Sequence, residues 1–476
     1  MVVVVGAGVA GLIQALLLAE VGIETVVLER DPQRPPHGPR EAFAWDRSGV
    51  PQFRHSHALL ARLREILVRR LPHVRTALLE AGASEIRICD HPPPEMPDTT
   101  PREGDEALVV VACRRTTFEW VLRKTAEMHP RVRIRPGVVV RGLRTDGSRV
   151  TGVVTEKGDI EGDAVVVAGG RRVPVGLWAE AAGLPPLAEE RAPTGIVYLT
   201  RHYAAHEEPP RGAGPWAGDA WYLKYGVFPG DGPFFSVTVA VPSFDRELRN
   251  ALRDPSRFQD ALGRLPAAAR WVDSEVSTPV TDVLVMGSLD NSRRSLCRDG
   301  EPVAGGLFLV GDAHTCTNPL YGRGCSLAAV QAEYVADLIA GGADPTEAVC
   351  RYESFCEREV AIWYEASVMQ DRTNTMLAKL ATGSADSSPD GGGGTESPEW
   401  AAAKLLLHGL LPASRTDPAV WRAFVRVFNL LDPPEKIMSD GHVAAAVSAQ
   451  LAANADAPLE CTDHPTRREL LAALGL

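Results

Sequence analysis

The sequence predicts an α/β fold that opens on a strand–helix–strand unit, carries an inserted antiparallel sheet and closes in a helical region. Three observations lead there. A fully apolar run at residues 2–5 leads into Gly6-Ala7-Gly8-Val9-Ala10-Gly11 and a helical stretch at 12–20, before a second β-rich run at 25–28. Between 195 and 241 the chain changes to longer β runs. After Ala340 the pattern is helical to the end.

The bulk properties bound the function. A chain of 476 residues has room for two or three packed units. Its 45% hydrophobic and 23% charged residues are those of an ordinary globular protein with a sizeable core. A net charge of -11 repels a phosphate backbone, so nucleic acid is not an expected partner. The eight cysteines are scattered without a CxxC pair, which suggests neither zinc nor a disulfide framework and fits a reducing cytoplasm. Residues 1–21 lack a basic start and carry patterned glycines, so they read as folded structure rather than as a signal peptide. No run of about 18 apolar residues predicts a membrane span.

In the first unit each glycine has a separate task. Gly6 permits the sharp turn, Gly8 lets the backbone approach a pyrophosphate, and Gly11 allows close helix-to-strand packing. The helix N-terminus then faces the phosphates. Glu29, ending the second strand beside Arg30, is placed to accept hydrogen bonds from an adenosine ribose. With strand, turn, helix and acid in register this is a Rossmann-like dinucleotide-binding pattern rather than a plain structural turn, but by itself it does not separate NAD from FAD.

Further elements follow in order. Residues 31–39 are a proline-rich loop, and a helical face resumes after His57 with Leu59, Leu60, Leu63, Ile66, Leu67 and Leu71. Residues 90–104 are loop, 108–113 strand, 118–128 helix, and 132–155 short strands around the Asp146-Gly147 turn. A buried strand at 164–168 closes on Gly169-Gly170. Strands are expected at 196–201, 221–228 and 234–241. In the last, Phe235, Val237, Val239 and Val241 share one face and Phe234, Ser236, Thr238 and Ala240 the other. A buried strand at 307–310 precedes a glycine loop and a helix at 326–339. The expected domains are a dinucleotide-binding domain from 1–75, 105–185 and 296–345, a substrate domain from 76–104 and 186–295, and a helical region from 346–476 with a flexible linker at 383–398.

The strand run at 307–310 ends in Gly311-Asp312-Ala313-His314 and is followed by Asn318-Pro319-Leu320-Tyr321-Gly322-Arg323-Gly324-Cys325. Here the sequence resembles the p-hydroxybenzoate-hydroxylase-like flavoprotein superfamily. The resemblance implies non-covalent FAD, with Asp312 on the ribityl hydroxyls and the loop from Pro319 through Gly322 to Gly324 along the isoalloxazine. The following helix would aim its N-terminus at the ring, where reduced flavin gathers negative charge. Gly49-Val50-Pro51-Gln52-Phe53-Arg54-His55-Ser56-His57, and Cys113-Arg114-Arg115 with Trp120, are similar to the branch of flavin epoxidases of polyether biosynthesis. That likeness implies pyrophosphate contacts from Arg54, at a helix start, and from Arg115, a backbone contact to adenine at Val140, and a place in secondary metabolism. Many relatives carry an acid before the last glycine of the strand-end motif at 163–171. Here Gly169 stands there, which puts direct use of NAD(P)H against supply of electrons by a separate flavin reductase.

The resulting expectation is a monooxygenase in which reduced FAD and O2 form a C4a-hydroperoxide that hydroxylates or epoxidises an apolar or aromatic small molecule. A dehydrogenase or geranylgeranyl-reductase-like ene-reductase shares the same motifs, and a non-catalytic flavin-bound redox sensor would also bind FAD. The Trp-x-Trp-x-Ile-Pro signature of flavin halogenases is missing, as is the GxSxG hydrolase elbow. His55-Ser56-His57 has no companion ligands, so no metal is expected. His57 reads either as facing the pocket or as a surface residue at a helix start. Tyr198, Tyr222 and Phe235 are candidates for the substrate lining, although strand aromatics are more often core. The oligomeric state is not legible.

Overall fold

The computed structural model describes residues 1–207, 216–384, 397–461 and 463–476. Its centre is a parallel sheet of strands β1 (Val2–Val5), β2 (Thr25–Glu29), β3 (Val132–Pro136), β4 (Ala164–Val167) and β8 (Leu307–Leu309), in the order β8-β4-β1-β2-β3. β1 is wholly buried and pairs with β2 through Val2↔Thr25 and with β4 through Val2↔Ala164. Four consecutive valines suit a strand covered on both faces. Helix α1 (Val9–Glu20) crosses from β1 to β2 and, like α2 (Ala61–Arg70), packs against α3 (Gly324–Ala340). α1 is therefore buried almost all round, unlike a one-faced surface helix. Chain order reverses on the two sides of β1, and in such sheets ligands bind beyond the C-terminal strand ends at that switch point.

A second sheet is built on β5 (Ile196–Ala205), β6 (Lys224–Pro229) and β7 (Phe234–Pro242), all antiparallel, with β7 between the other two. The expected alternation in β7 sorts its environments. Phe235, Val237, Val239 and Val241 pack into a core closed by the helices Arg246–Ala251, Pro255–Leu262 and Pro266–Val272, while Ser236 and Thr238 point to the opposite side. The β run expected at 221–228 begins later, at Lys224, because Trp221 takes a left-handed backbone (φ 62°) in the preceding turn.

The C-terminal region is helical, and it is tied into both sheets. α4 (Ala361–Thr382) packs behind the loop that precedes α3, with Ser367 and Gln370 accepting hydrogen bonds from Arg323. α5 (Pro418–Phe428) sends Arg422 onto Asp105 at 2.8 Å, and α6 (Arg467–Ala473) buries Leu470 and Leu471 in the core beneath the antiparallel sheet. The strand Ser84–Arg87 pairs with Val109–Ala112, across the boundary the sequence placed at 104/105. Of the linker expected at 383–398, residues 385–396 lie outside the described residues. No helix among the described residues is long and apolar enough to cross a membrane.

Candidate functional site

A cavity of about 420 Å³ opens over the C-terminal ends of β1, β2 and β4 and extends to the antiparallel sheet. Its floor is the glycine turn. Gly6 has φ 107°, and a Cβ there would sit 2.7 Å from the Ala168 carbonyl oxygen; a Cβ on Gly11 would sit 1.9 Å from the Gly6 carbonyl oxygen. Gly11 therefore lies under the cavity and closes the helix onto the turn, while Gly6 and Gly8 line it. No side chain caps the N-terminus of α1 at Gly8 or that of α3 at Arg323, so both helix ends keep backbone donors for a ligand.

At the β2 end, Glu29 accepts hydrogen bonds from the backbone N–H of Ala7 (3.0 Å) and of Asp31 (2.9 Å). It also pairs with Arg47, which the sequence reading did not single out. Arg47 is almost fully buried and reaches Glu119 (2.8 Å), Glu29 (3.1 Å) and Asp31 (3.1 Å) together. Burial works against its charge, but the three carboxylates outweigh that and hold the guanidinium pKa above its ordinary value. Glu119 also accepts from Arg115 at 3.1 Å. Nothing local could have flagged this network, because Arg47 and Glu119 are 72 residues apart.

Arg115 fixes a histidine as well. A guanidinium can only donate, so its contact at 3.0 Å makes His57 Nε2 the acceptor, and His57 Nδ1–H then donates to the His55 carbonyl at 2.9 Å. Burial, with the neighbouring Arg115 adding to it, pulls the His57 pKa down to about 3. His57 is a neutral, single-tautomer wall residue. His55 is drawn down to about 4 by burial and by His202, and meets Thr200 at 3.0 Å. From there hydroxyls run Thr200, Thr238, Ser56 and Ser236, each 2.7 Å from the next.

At the far end, Asp312 faces the cavity at the end of β8. Burial pushes its pKa up, while Arg115 and Arg171 pull it back. The following loop is clamped from behind. Asp371 on α4 accepts from Asn318 Nδ2 (2.6 Å) and Asn291 Nδ2 (2.7 Å), and Asn318 Oδ1 accepts from Leu320 N–H (2.9 Å) and from the Tyr198 hydroxyl (2.5 Å). Gly322 takes a left-handed φ of 66° where a Cβ would lie 2.7 Å from the Ala58 Cβ.

The residues expected at the cofactor thus separate. Glu29, Arg30, Arg115, Val140, Gly311, Asp312, Pro319, Gly322 and Gly324 line the cavity with Gly6 and Gly8. Arg54 does not. It lies in a turn ahead of the helix Ala61–Arg70, exposed, with its guanidinium 5.9 Å from the Phe43 ring centre. The substrate aromatics are displaced too. Phe235 stacks on Tyr203 (5.2 Å) in the core beneath the sheet, and Tyr222 donates to the Pro465 carbonyl oxygen. Strand alternation put Phe235 on the covered face. Tyr198 lies on the cavity side but beneath Met286 and Leu289, which themselves line the wall. His57 lines the cavity. Among the described residues, no group of three or more His, Cys, Asp or Glu side chains is gathered for a metal.

The observation that decides the family is the match of residues 1–346 of the chain to a family model, the FAD binding domain. The chain belongs to the FAD binding domain family. As a member it is a flavoprotein oxidoreductase of the p-hydroxybenzoate-hydroxylase-like superfamily, and its cavity fits the cofactor. The glycine turn leaves open space at Gly8 for a pyrophosphate, an acid ends β2, and a second uncapped helix end follows Asp312.

Solved structures share the fold of this flavoprotein. The flavin-dependent brominase Bmp2 is 15% identical over 96% of this chain and 99% of its own, with a TM-score of 0.60. OxyS, an anhydrotetracycline hydroxylase from Streptomyces rimosus, is 18% identical over 90% of this chain and 76% of its own, with a TM-score of 0.53. A flavoprotein/dehydrogenase from Cytophaga hutchinsonii is 16% identical over 96% and 99%, with a TM-score of 0.61. At these identities the likeness carries the fold alone, and three chemistries on one fold leave the reaction to be argued from the site. No curated protein sequence matches the chain.

Proposed function

We propose that the protein is an FAD-dependent monooxygenase that inserts one oxygen atom of O2 into an apolar small molecule held between the flavin and the antiparallel sheet. The observation that carries this reading is the wall of the cavity beyond Asp312. It offers Met286, Leu289 and Pro319 for an apolar substrate, and its two histidines are neutral and already committed to hydrogen bonds. Burial raises the pKa of the Cys316 and Cys325 thiols that also line the cavity, which disfavours the nucleophilic thiolate, so this reading assigns the reactive atoms to the cofactor.

Bound FAD supplies electron transfer to O2 and oxygen delivery. The protein's residues hold and shield it. Asp312 and the N-terminus of α1 hold the ribityl and pyrophosphate portions, and Glu29 the adenosine ribose. Val140 stands at the adenine, and the loop from Pro319 to Gly324 bounds the ring. Arg115 belongs to the same wall, with Glu119 keeping its guanidinium in place. His57 presents no proton from Nε2, so it shapes the wall and keeps water out without supplying acid catalysis.

Turnover under labelled O2 is expected to give product with one labelled oxygen atom, and turnover in labelled water product with none, by mass spectrometry. Anaerobic turnover with an artificial electron acceptor would instead establish the dehydrogenase.

The reductant is proposed to reach the flavin through a separate flavin reductase. At Gly169, where many relatives carry an acid, a Cβ would lie 3.1 Å from the Val173 side chain, which would have to shift by a few tenths of an ångström to admit one. The purified protein is expected to oxidise NADH and NADPH slowly, with a reductase in trans restoring turnover. Anaerobic stopped-flow absorbance measures this, and fast bleaching of bound FAD by NADPH alone would refute the two-component scheme.

A further inference from the structure

Where the turn before α2 meets the antiparallel sheet, His55 and Ser56 line the flavin cavity and are hydrogen-bonded to strands β5 and β7. His55 Nδ1 meets the Thr200 hydroxyl at 3.0 Å, while its Nε2 has no hydrogen-bond partner among the described residues and is not closed off by protein. The rest of the ring is buried, so Nε2 opens onto the cavity. Behind the ring the hydroxyls of Thr200, Thr238, Ser56 and Ser236 stand in series, each 2.7 Å from the next.

The hydrogens of this series can be counted. Each hydroxyl has one to donate, and the contacts to be filled are three between hydroxyls and one to Nδ1. If Nδ1 accepts, the hydrogens run from Ser236 through Ser56, Thr238 and Thr200 to His55, and every one is used. If Nδ1 donates, the series reverses and the Ser236 hydrogen has no acceptor among the described residues. Ser236 is buried, and a buried donor left unpaired is costly, so the first arrangement is the favoured one. It puts the imidazole proton of His55 on Nε2, facing the cavity. His57 takes the opposite tautomer, its Nε2 accepting from Arg115.

Resting on the reading of the cavity as the place where an apolar substrate lies beside the flavin, we propose that His55 Nε2–H is the donor that orients the substrate, and that the substrate carries a neutral carbonyl or hydroxyl oxygen to receive it. Met286 and Leu289, also on the cavity wall, hold apolar groups without directing them, whereas one fixed donor sets which way round the molecule lies. The ring stays uncharged, because burial, with His202 adding to it, draws its pKa down to about 4. A neutral donor suits a neutral oxygen and gives a carboxylate no counter-charge.

The test uses two probes of one shape, 2-acetylnaphthalene and 2-isopropenylnaphthalene, which differ by a carbonyl oxygen against a methylene group. Each is titrated into FAD-loaded protein and followed by the visible flavin spectrum. The ketone is expected to bind ~10-fold more tightly than the hydrocarbon. His55→Phe should abolish that preference, and His55→Gln, which keeps an N–H donor on a side chain of similar reach, should restore part of it. A purely structural role for His55 would weaken both probes alike. NMR of isotope-labelled histidine adds a readout that needs no probe, with the proton expected on Nε2 of His55 and on Nδ1 of His57. Equal binding of the two probes by the unmodified protein would overturn the proposal, as would a His55 proton found on Nδ1 or a preference that survives in His55→Phe. If neither probe changes the flavin spectrum, the apolar site beside the flavin is itself overturned, and the proposal falls with it.

Discussion

A Gly8→Ala variant is expected to fold with its apoprotein melting temperature almost unchanged and to bind FAD ~10-fold to ~100-fold more weakly. Gly8 has an ordinary extended backbone (φ -82°), and a Cβ there meets no protein atom within 4 Å. The fold has no objection to the methyl group beyond the roughly 0.5 to 1 kcal/mol by which alanine is a poorer helix N-cap than glycine. Only a ligand approaching the turn can object. Gly11→Ala is the opposite case. Its Cβ would lie 1.9 Å from a backbone oxygen, so α1 must move off the turn, and the expected loss is several kcal/mol of stability together with the cofactor. Thermal melts of apoprotein and fluorescence titration with FAD separate the two. Wild-type affinity in Gly8→Ala would mean that no pyrophosphate passes there.

Replacing Asp371 with alanine is expected to cost ~2 to 6 kcal/mol in stability, because two buried amide donors, Asn291 Nδ2 and Asn318 Nδ2, lose their acceptor and each unpaired donor costs ~1 to 3 kcal/mol. The loop proposed to bound the flavin ring would loosen with it, so weaker FAD binding and a broadened visible spectrum are expected alongside. The effect depends on pH. Burial pushes the Asp371 pKa up to about 6, against the pull of the Asn291 and Asn318 amides and of Arg323. Its folded pKa lies above the ordinary 3.8, so the folded state holds the proton more tightly than the unfolded. The stability contributed by the aspartate therefore falls as pH rises through that window and is level above it. The gap between wild type and variant should be larger near the lower end of the window than at pH 7. Denaturant melts at the two pH values measure it, and a gap that widens with pH would refute the assignment.

The motifs that placed the cavity were readable because each lies within a short stretch of chain. Gly6, Gly8 and Gly11 are set by backbone geometry between a strand and a helix, and Glu29 and Asp312 each end a strand, so period and turn chemistry locate them. Alternation in β7 likewise sorted Ser236 and Thr238 from Phe235 and Val237 before any contact was known. The sequence could not say which face was covered by helices, and so offered Phe235 to the substrate when the core had claimed it.

By itself the sequence determined the parallel-sheet unit with its inserted antiparallel sheet, the glycine turn and the acid at each end of the cavity, since all of these follow from local periodicity and from the conformations open to glycine. The tertiary structure alone decided that Arg47 rather than Arg54 stands at the cavity, that Asp371 clamps the loop from a helix 53 residues beyond Asn318, and that Arg171, Arg172, Arg191 and Arg294, from three segments, meet in one pocket. Those outcomes are contacts between side chains far apart in the chain. They depend on how buried charges find partners once the elements have packed, and no local pattern records that pairing.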